Sequence, residues 1–200
     1  MIYDNMVGLN AHTNKGVSIM KPRGPLMIEH RLIEKMLEVV RNQISLIDTT
    51  NSVDPVFIDT TIDFIRTYAD RTHHGKEEDI MFRELAKKTM TPEDTKVMSE
   101  LVDEHKYARQ VVGELVQAKK HYLEGRLESL QTIKEKLTVL VEFYPEHITK
   151  EDKVFFPNSE RYLSQKEQET MLQEFWEFDQ RMIHDKYRSV VEQLRLGENS

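Results

Sequence analysis

Residues 145–157 read P-E-H-I-T-K-E-D-K-V-F-F-P and hold a histidine and a glutamate four positions apart, His147 and Glu151. On an α-helix this spacing puts both side chains on one face, about 40° apart around the axis. An imidazole and a carboxylate placed in this way can bind one metal ion together or two adjacent ions. The stretch therefore predicts a helix that presents metal ligands on one side.

A second stretch repeats this arrangement 74 residues earlier in the chain. It reads H-H-G-K-E-E-D-I-M-F-R from His73 onward, and its Glu77 takes the place of the glutamate in the first motif. His74 and Glu78 also stand four apart and are the alternative pair of ligands. The match of Phe82 with the phenylalanine at the same place in the first motif favours His73 and Glu77.

A single histidine precedes each of the two motifs. His30 and His105 each follow a glutamate, and they are 75 residues apart, which is nearly the period of the motifs. A lone histidine on an apolar helix face is more often a hydrogen-bonded core residue, but the repeat favours a ligand here. An internal repeat constrains the whole fold. It predicts two copies of a helix pair, and hence four helices that carry ligands to one centre.

The spacing of the histidines allows a geometric test of this prediction. About 18 residues lead from His30 to the predicted turn at residues 49–54, and 18 lead from Pro55 back to His73. The second helix pair runs 20 residues out and 21 back, and the connection between the pairs runs about 12 and 13. At about 1.5 Å per residue, each out-and-back path returns to nearly its starting height. The ligands are therefore predicted to lie at one level of the bundle.

Composition favours a helical protein and limits its chemistry. The chain has 200 residues with seven glycines, six prolines and a net charge of −7, which fits one domain and argues against a nucleic-acid binder. The chain has no cysteine, which excludes disulfides, cysteine-ligated zinc and iron–sulfur clusters and fits a reducing cytoplasm. We find neither a signal peptide nor an apolar run long enough for a membrane helix. We therefore expect a cytoplasmic protein without a membrane or nucleic-acid partner.

Periodicity and helix-start signals divide the chain into three parts. Residues 1–24 lack a clear period and predict an irregular N-terminal arm, in which His12 is interpreted as a surface histidine. Residues 25–157 carry apolar residues at steps of three and four and predict the four helices. Residues 158–200 predict an additional C-terminal helix that packs on the bundle. The predicted fold is all-α, an antiparallel up-down four-helix bundle with an N-terminal arm and this additional helix.

The C-terminal helix has its own start signal and its own histidine. Ser164 and Glu167 form a capping box at its beginning. Its apolar face is expected to cover the bundle, and contact with a second copy of the chain, giving a homodimer, is the alternative. His184 has no counterpart in the repeat and is interpreted as a structural or surface residue.

Four imidazoles and two carboxylates suit a middle-to-late first-row transition metal. Calcium and magnesium would require more oxygen ligands, and six ligands are too many for one tetrahedral zinc ion. The set suits two ions that share Glu77 and Glu151 as bridges, with two histidines on each ion. Two redox-active ions with open positions can bind O₂, reduce it, or scavenge NO or peroxide.

As an ordered set, the four motifs resemble the hemerythrin-like, HHE cation-binding family over about residues 25–157. The motifs are E-H-R-L-I-E, H-H-G-K-E-E-D-I-M-F, E-H-K-Y-A-R and E-H-I-T-K-E-D-K-V-F-F-P. The resemblance implies an antiparallel four-helix bundle around a non-haem centre of two iron ions bridged by oxide or hydroxide. The ligands that it implies are His30, His73, Glu77, His105, His147 and Glu151.

The sequence departs from the oxygen-carrying members of that family. Those members have a further histidine four residues after the third-helix ligand, where this chain has Arg109. Their last motif ends in an aspartate that Asp152 could provide, but the repeat favours Glu151. The lack of the fifth histidine favours sensing, detoxification or iron-centre repair over bulk O₂ carriage. Repair members usually carry a cysteine-bearing N-terminal segment, which this chain lacks.

Two other functions are consistent with the sequence. One is a metal-free helical module that binds a partner through the C-terminal helix, although it leaves the repeat unexplained. The other is a zinc or manganese site that performs hydrolysis. Spectroscopy of the bound metal would separate the second alternative from iron.

Overall fold

A computed structural model describes the backbone of residues 20–197 and the side chains of residues 20–188. Within these limits the chain forms five helices and no strand, as the composition predicted. Most of the predicted N-terminal arm, with His12, lies outside the described residues. None of the described helices is long and apolar enough to cross a membrane.

Helix α1 spans Arg23–Thr50 and begins two residues before the predicted start at Pro25. It ends at Asn51, whose backbone is left-handed with φ 50° and whose amide donates to the carbonyl of Ile47. Asparagine is one of the few residues that tolerate this conformation, so the residue type explains where the helix stops.

Helix α2 covers residues 55–85 and is not uniform. It starts as an α-helix over Pro55–Phe64, with the Asp54 side chain accepting from the amide of Val56 at 2.9 Å. It then widens into π-helical turns over Ile65–His74 and Glu77–Phe82 before the α-helical end Arg83–Leu85. Turns of this kind have i→i+5 hydrogen bonds and occur frequently at functional sites. In α2 they coincide with the H-H-G-K-E-E motif.

Helix α3 spans Pro92–Leu123, and the Thr91 hydroxyl caps it by accepting from the amide of Asp94 at 3.2 Å. Helix α4 spans Ser129–Lys150, passes through π-helical turns at Glu151–Phe155 and continues over Phe156–Ser159. The predicted end of this helix at Pro157 is therefore wrong. Pro157 lies in the first turn of the last segment, where a proline without an amide hydrogen is tolerated.

Two apolar clusters fill the interior, and the histidines lie where the clusters meet. On α1, His30 separates Leu26 of one cluster from Ile33 of the other. On α3, His105 separates Leu101 from Ala108 in the same way. The boundary between the clusters therefore forms one level across the bundle, at the height that the balanced spacings predicted.

Helix α5 spans Gln165–Gly197 and packs on α2. The predicted capping box is confirmed, because the Ser164 amide donates to the Glu167 carboxylate at 2.8 Å. Phe175 and Phe178 are buried with residues of α2 in the second cluster. A Cβ atom on Gly75 would lie 2.7 Å from Cζ of Phe178, so this close approach of the two helices requires glycine.

Candidate metal centre

Seven buried side chains, five imidazoles and two carboxylates, converge at the boundary between the apolar clusters. Each is at most 2 % exposed. Their ligand atoms form two groups, and the atoms within each group lie within 4.8 Å of one another. The first group is His30, His73, Glu77 and Glu151, and the second is His74, His105 and His147. The structure thus brings together all six residues predicted as ligands and adds His74.

The carboxylate of Glu77 lies between the two groups. Its Oε1 is 3.5 Å from Nε2 of His73 in the first group. Its Oε2 is 3.4 Å from Nε2 of His105 in the second group. One oxygen therefore faces each set of imidazoles, as a bridging carboxylate requires.

Glu151 has the same arrangement from the opposite helix. Its Oε2 is 3.1 Å from Nε2 of His30 in the first group. Its Oε1 is 3.4 Å from Nε2 of His147 and 3.7 Å from Nε2 of His105 in the second. The two glutamates are equivalent in the sequence repeat and are also equivalent in the site.

Every one of the five imidazoles contacts a carboxylate through Nδ1, on the side away from the centre. A carboxylate oxygen can only accept, so Nδ1 carries the proton and the Nε2 lone pair faces the centre. Metal-binding histidines are oriented in this way in known proteins. The pairs are His30–Asp152 at 2.8 Å, His73–Glu29 at 3.0 Å, His74–Asp70 at 3.4 Å, His105–Glu78 at 2.6 Å and His147–Glu104 at 2.7 Å.

A cation lies behind each of these carboxylates. Arg109 donates to both Asp70 and Glu78, at 2.7 Å each, and thereby serves two histidines. The remaining pairs are Arg31–Asp152, Lys76–Glu29 and Lys150–Glu104. Each cation balances the charge of its carboxylate, so the carboxylates remain ionised and accept the Nδ1 protons.

This arrangement gives a position to the residues that the sequence left as alternatives. Asp152 and Glu78, the less favoured ligand candidates, accept Nδ1 hydrogen bonds from His30 and His105 outside the centre. Arg109, which stands where oxygen carriers of the family have a histidine, holds the carboxylate of Glu78. His184 is exposed on α5.

The second imidazole of the H-H pair is the residue that sequence reasoning undervalued. The i,i+4 argument assumes α-helical turns, in which neighbouring residues differ by about 100° and only one of two adjacent histidines faces a centre. The wider turns at Ile65–His74 bring both His73 and His74 inward. The His74 ring lies 3.8 Å from that of His105, centroid to centroid, in a stacked arrangement. The adjacent histidines themselves were the available sequence signal.

The inward-facing atoms of the centre lack hydrogen-bond partners among the described residues. A buried polar atom without a partner costs about 1–3 kcal/mol, so proteins rarely bury several together. A bound metal would give each of them a partner. These atoms are Nε2 of His74, His105 and His147 and both carboxylate oxygens of Glu77 and Glu151.

The acidities of the two glutamates also fit a cation between them. Burial and the nearby charge of Glu151 raise the pKa of Glu77 well above its ordinary value. Burial would also raise the pKa of Glu151, but the surrounding imidazoles hold it well below its usual range. Two carboxylates this close resist carrying two negative charges, and metal ions would relieve that repulsion.

Burial and hydrogen bonding act in opposite directions on the imidazoles. Burial lowers the pKa of His73 to about 4, and it holds the pKa of His74 well below its usual range. Burial also acts to lower the pKa of His30, but hydrogen bonds to Asp152 and Glu151 outweigh it and raise this pKa to about 9. The neutral rings of His73 and His74 are in the form that binds metals.

One small cavity reaches the second group from the protein surface. Its volume is about 190 Å³, and His74, Asp70, Arg109 and Tyr144 contribute to its walls. The Tyr144 hydroxyl is buried there without a hydrogen-bond partner. Burial raises the pKa of this phenol, so it remains protonated. The cavity has room for only a small molecule.

Comparison with known proteins agrees with this geometry. The family model described as "Hemerythrin HHE cation binding domain" matches residues 25–158, which include every residue of the two groups. A search of curated proteins gives no significant match. The matched segment covers about two thirds of the chain. The chain therefore belongs to the hemerythrin HHE cation-binding family.

Proposed function

We propose that this protein is a non-haem di-iron protein that binds a small diatomic ligand, O₂ or NO. The observation that carries the proposal is the position of Glu77 and Glu151, each with one oxygen toward each group of imidazoles. His30 and His73 would hold one ion, and His74, His105 and His147 the other. The two glutamates would bridge the ions.

Bound iron would supply redox chemistry toward O₂, NO and peroxide, and the protein would control access and orientation. The site residues are nearly inaccessible to solvent, and the cavity beside His74 holds only about 190 Å³. Substrates larger than a few atoms are therefore excluded. This restriction supports diatomic ligands and peroxide over the hydrolytic alternative, which would require a larger substrate at the metal.

The number of imidazoles bears on the kind of ligand chemistry. The sequence favoured sensing, detoxification or repair because Arg109 replaces the fifth histidine of oxygen carriers. His74 brings the number of imidazoles at the centre to five. That objection to reversible O₂ binding therefore no longer holds, and we place reversible ligand binding first. Detoxification of NO or peroxide is the second candidate, favoured by the buried phenol of Tyr144 in the access cavity.

We also infer the topology and the extent of the bundle. Short connections join successive helices, which favours antiparallel neighbours and an up-down arrangement of α1 to α4. Residues 25–157 would then form the metal-binding bundle, and residues 158–200 an appended helix.

The proposal can be tested with protein loaded with Fe²⁺ without oxygen. Absorption spectra are recorded after adding O₂ or NO and again after flushing with argon. A spectral change that appears with the gas and disappears on flushing supports reversible binding. An irreversible change would shift the function to peroxide or NO turnover, and no change with either gas would contradict the proposal. The His105→Ala variant is the negative control.

A further inference from the structure

The C-terminal helix lies outside the matched segment, yet it contacts a residue beside the metal centre. Lys76 on α2 is fully buried, and its ammonium group binds Asp179 of α5 at 2.7 Å. The same ammonium group donates to Oε1 of Glu29 on α1. Glu29 uses its other oxygen, Oε2, to accept from Nδ1 of His73 at 3.0 Å. Four side chains thus connect α5 to an imidazole of the first group.

Burial makes this connection restrictive. An ammonium group removed from water requires charged partners, because an unpaired buried charge costs several kcal/mol. Lys76 has two such partners, and one of them is supplied by α5. The position of Lys76, and through it that of Glu29, therefore depends on whether α5 is in place. Packing of Phe178 against Gly75 sets the distance at which α5 lies.

The other cations of the centre do not depend on α5. Arg31, Arg109 and Lys150 all belong to the matched segment, and their carboxylate partners do as well. A second ion pair between α2 and α5, Arg83–Glu174 at 2.6 Å, is partly exposed and has no contact with a histidine-binding carboxylate. The link through Lys76 is thus distinct among the contacts of α5.

We propose that Asp179 is a positioning residue for His73, acting through Lys76 and Glu29, so that the C-terminal helix forms part of the metal centre. Docking of α5 orients His73 for the ion of the first group. By thermodynamic linkage, a metal ion at that position strengthens the docking of α5. This inference rests on the proposed function, because it requires that His73 hold a metal.

The test compares Asp179→Asn with Glu174→Gln, which removes an ion pair between the same two helices. Fe²⁺ binding is measured without oxygen by titration and metal analysis. We expect Asp179→Asn to weaken one of two binding steps by about 10–100-fold, the usual effect of losing an outer partner of a metal-binding histidine. Glu174→Gln is expected to bind like wild type. Equal binding by the two variants would overturn the inference.

A double variant tests the route through Glu29. In the Glu29→Gln background, His73 has already lost its carboxylate, so Asp179→Asn is expected to weaken binding no further. Additive losses would contradict the relay. This comparison also serves if the single variant Asp179→Asn is poorly folded, because it is made between two folded members of one series, checked by circular dichroism.

Hydrogen exchange of α5 provides a readout that does not depend on affinity. Addition of Fe²⁺ to wild type is expected to slow amide exchange in residues 165–188, and Asp179→Asn is expected to abolish that slowing. Unchanged exchange in wild-type protein that binds two ions would overturn the inference alone. Failure of the wild type to bind two ions would instead overturn the proposed function.

Discussion

The five histidines of the centre differ from ordinary buried histidines in what their two ring nitrogens contact. Each Nδ1 has a carboxylate partner, and Nε2 of three of them lacks a hydrogen-bond partner. A structural histidine would satisfy both nitrogens with protein groups. At the scale of single residues, this asymmetry is the strongest sign of a missing cation.

The role of His74 can be tested directly. His74→Ala removes one of three imidazoles from the second group, so we expect one Fe²⁺ to bind as in wild type and the other at least about tenfold more weakly. Fe²⁺ titration without oxygen measures both steps. His184→Ala, which changes an exposed histidine on α5, is the control and is expected to keep both steps. Two unchanged steps in His74→Ala would exclude it as a ligand.

Arg109 is predicted to matter because of its shape as well as its charge. Its planar guanidinium binds Asp70 and Glu78 together, and these carboxylates orient His74 and His105. A lysine has one compact ammonium group and cannot hold both carboxylates in this way. Arg109→Lys is therefore expected to weaken Fe²⁺ binding at the second group by about tenfold.

The matched control for this substitution lies on the same helix. Lys106→Met disrupts the exposed pair with Asp103 and is expected to leave Fe²⁺ binding unchanged. If Arg109→Lys titrates like Lys106→Met, the guanidinium does not organise the second group.

Sequence reasoning identified ligand candidates more successfully than their surroundings. The repeat identified His73 because its counterpart at His147 has the same spacing to a glutamate. The repeat could not identify His74, because two adjacent side chains converge only where the helix widens. The carboxylate behind each imidazole comes from another helix in four of the five cases, so linear spacing carried no signal for it. Only Asp70, four residues before His74, lies within one motif.

At the scale of elements, helix starts were predicted well and helix interiors were not. Asp54-Pro55 and Thr91-Pro92 begin α2 and α3 as predicted, because capping depends on a few adjacent residues. The widened turns of α2 and α4 depend on the approach of other helices to the centre, which local sequence does not encode.

Two glycines in helices should respond oppositely to alanine. Gly75→Ala places a methyl group 2.7 Å from Phe178, and overpacking of this kind costs about 1–3 kcal/mol, more than the roughly 1 kcal/mol gained from helix propensity. A Cβ on Gly113 of α3 would meet nothing within 4 Å, so Gly113→Ala should stabilise by up to about 1 kcal/mol. Urea unfolding measures both changes.

A second substitution tests whether contact with α5 causes the loss at Gly75. Phe178→Leu removes the atom that the new methyl group would meet, so it is expected to recover part of the stability of Gly75→Ala. If Gly75→Ala is as stabilising as Gly113→Ala, α5 does not approach α2 as closely as described.

At the scale of the whole molecule, a polar level separates two apolar clusters. The fold class and the common height of the ligands could be predicted from the sequence, because out-and-back spacing and composition are properties of the whole chain. The position of α5 could not be predicted in detail, since the helix has no counterpart in the repeat. Its apolar face covers the second cluster, as expected, and its Asp179 reaches Lys76.

Metal removal should affect the stability of the entire bundle. The polar level contains two buried glutamates and five imidazoles contributed by four helices, so metal ions would join all four. At 100 times the dissociation constant, a ligand that binds only the folded state adds about 2.7 kcal/mol of stability. Thermal unfolding with Fe²⁺ and with chelator is expected to show a clear rise in Tm with metal. The variant with Glu77→Gln and Glu151→Gln should show a much smaller rise.

The central claim is that the two groups of ligands hold two metal ions joined by Glu77 and Glu151. The most direct measurement is the number of Fe²⁺ ions bound per chain, determined by titration without oxygen followed by gel filtration and metal analysis. The account predicts two ions per chain. One ion would contradict the division into two groups, and none would return the protein to a helical bundle without a metal.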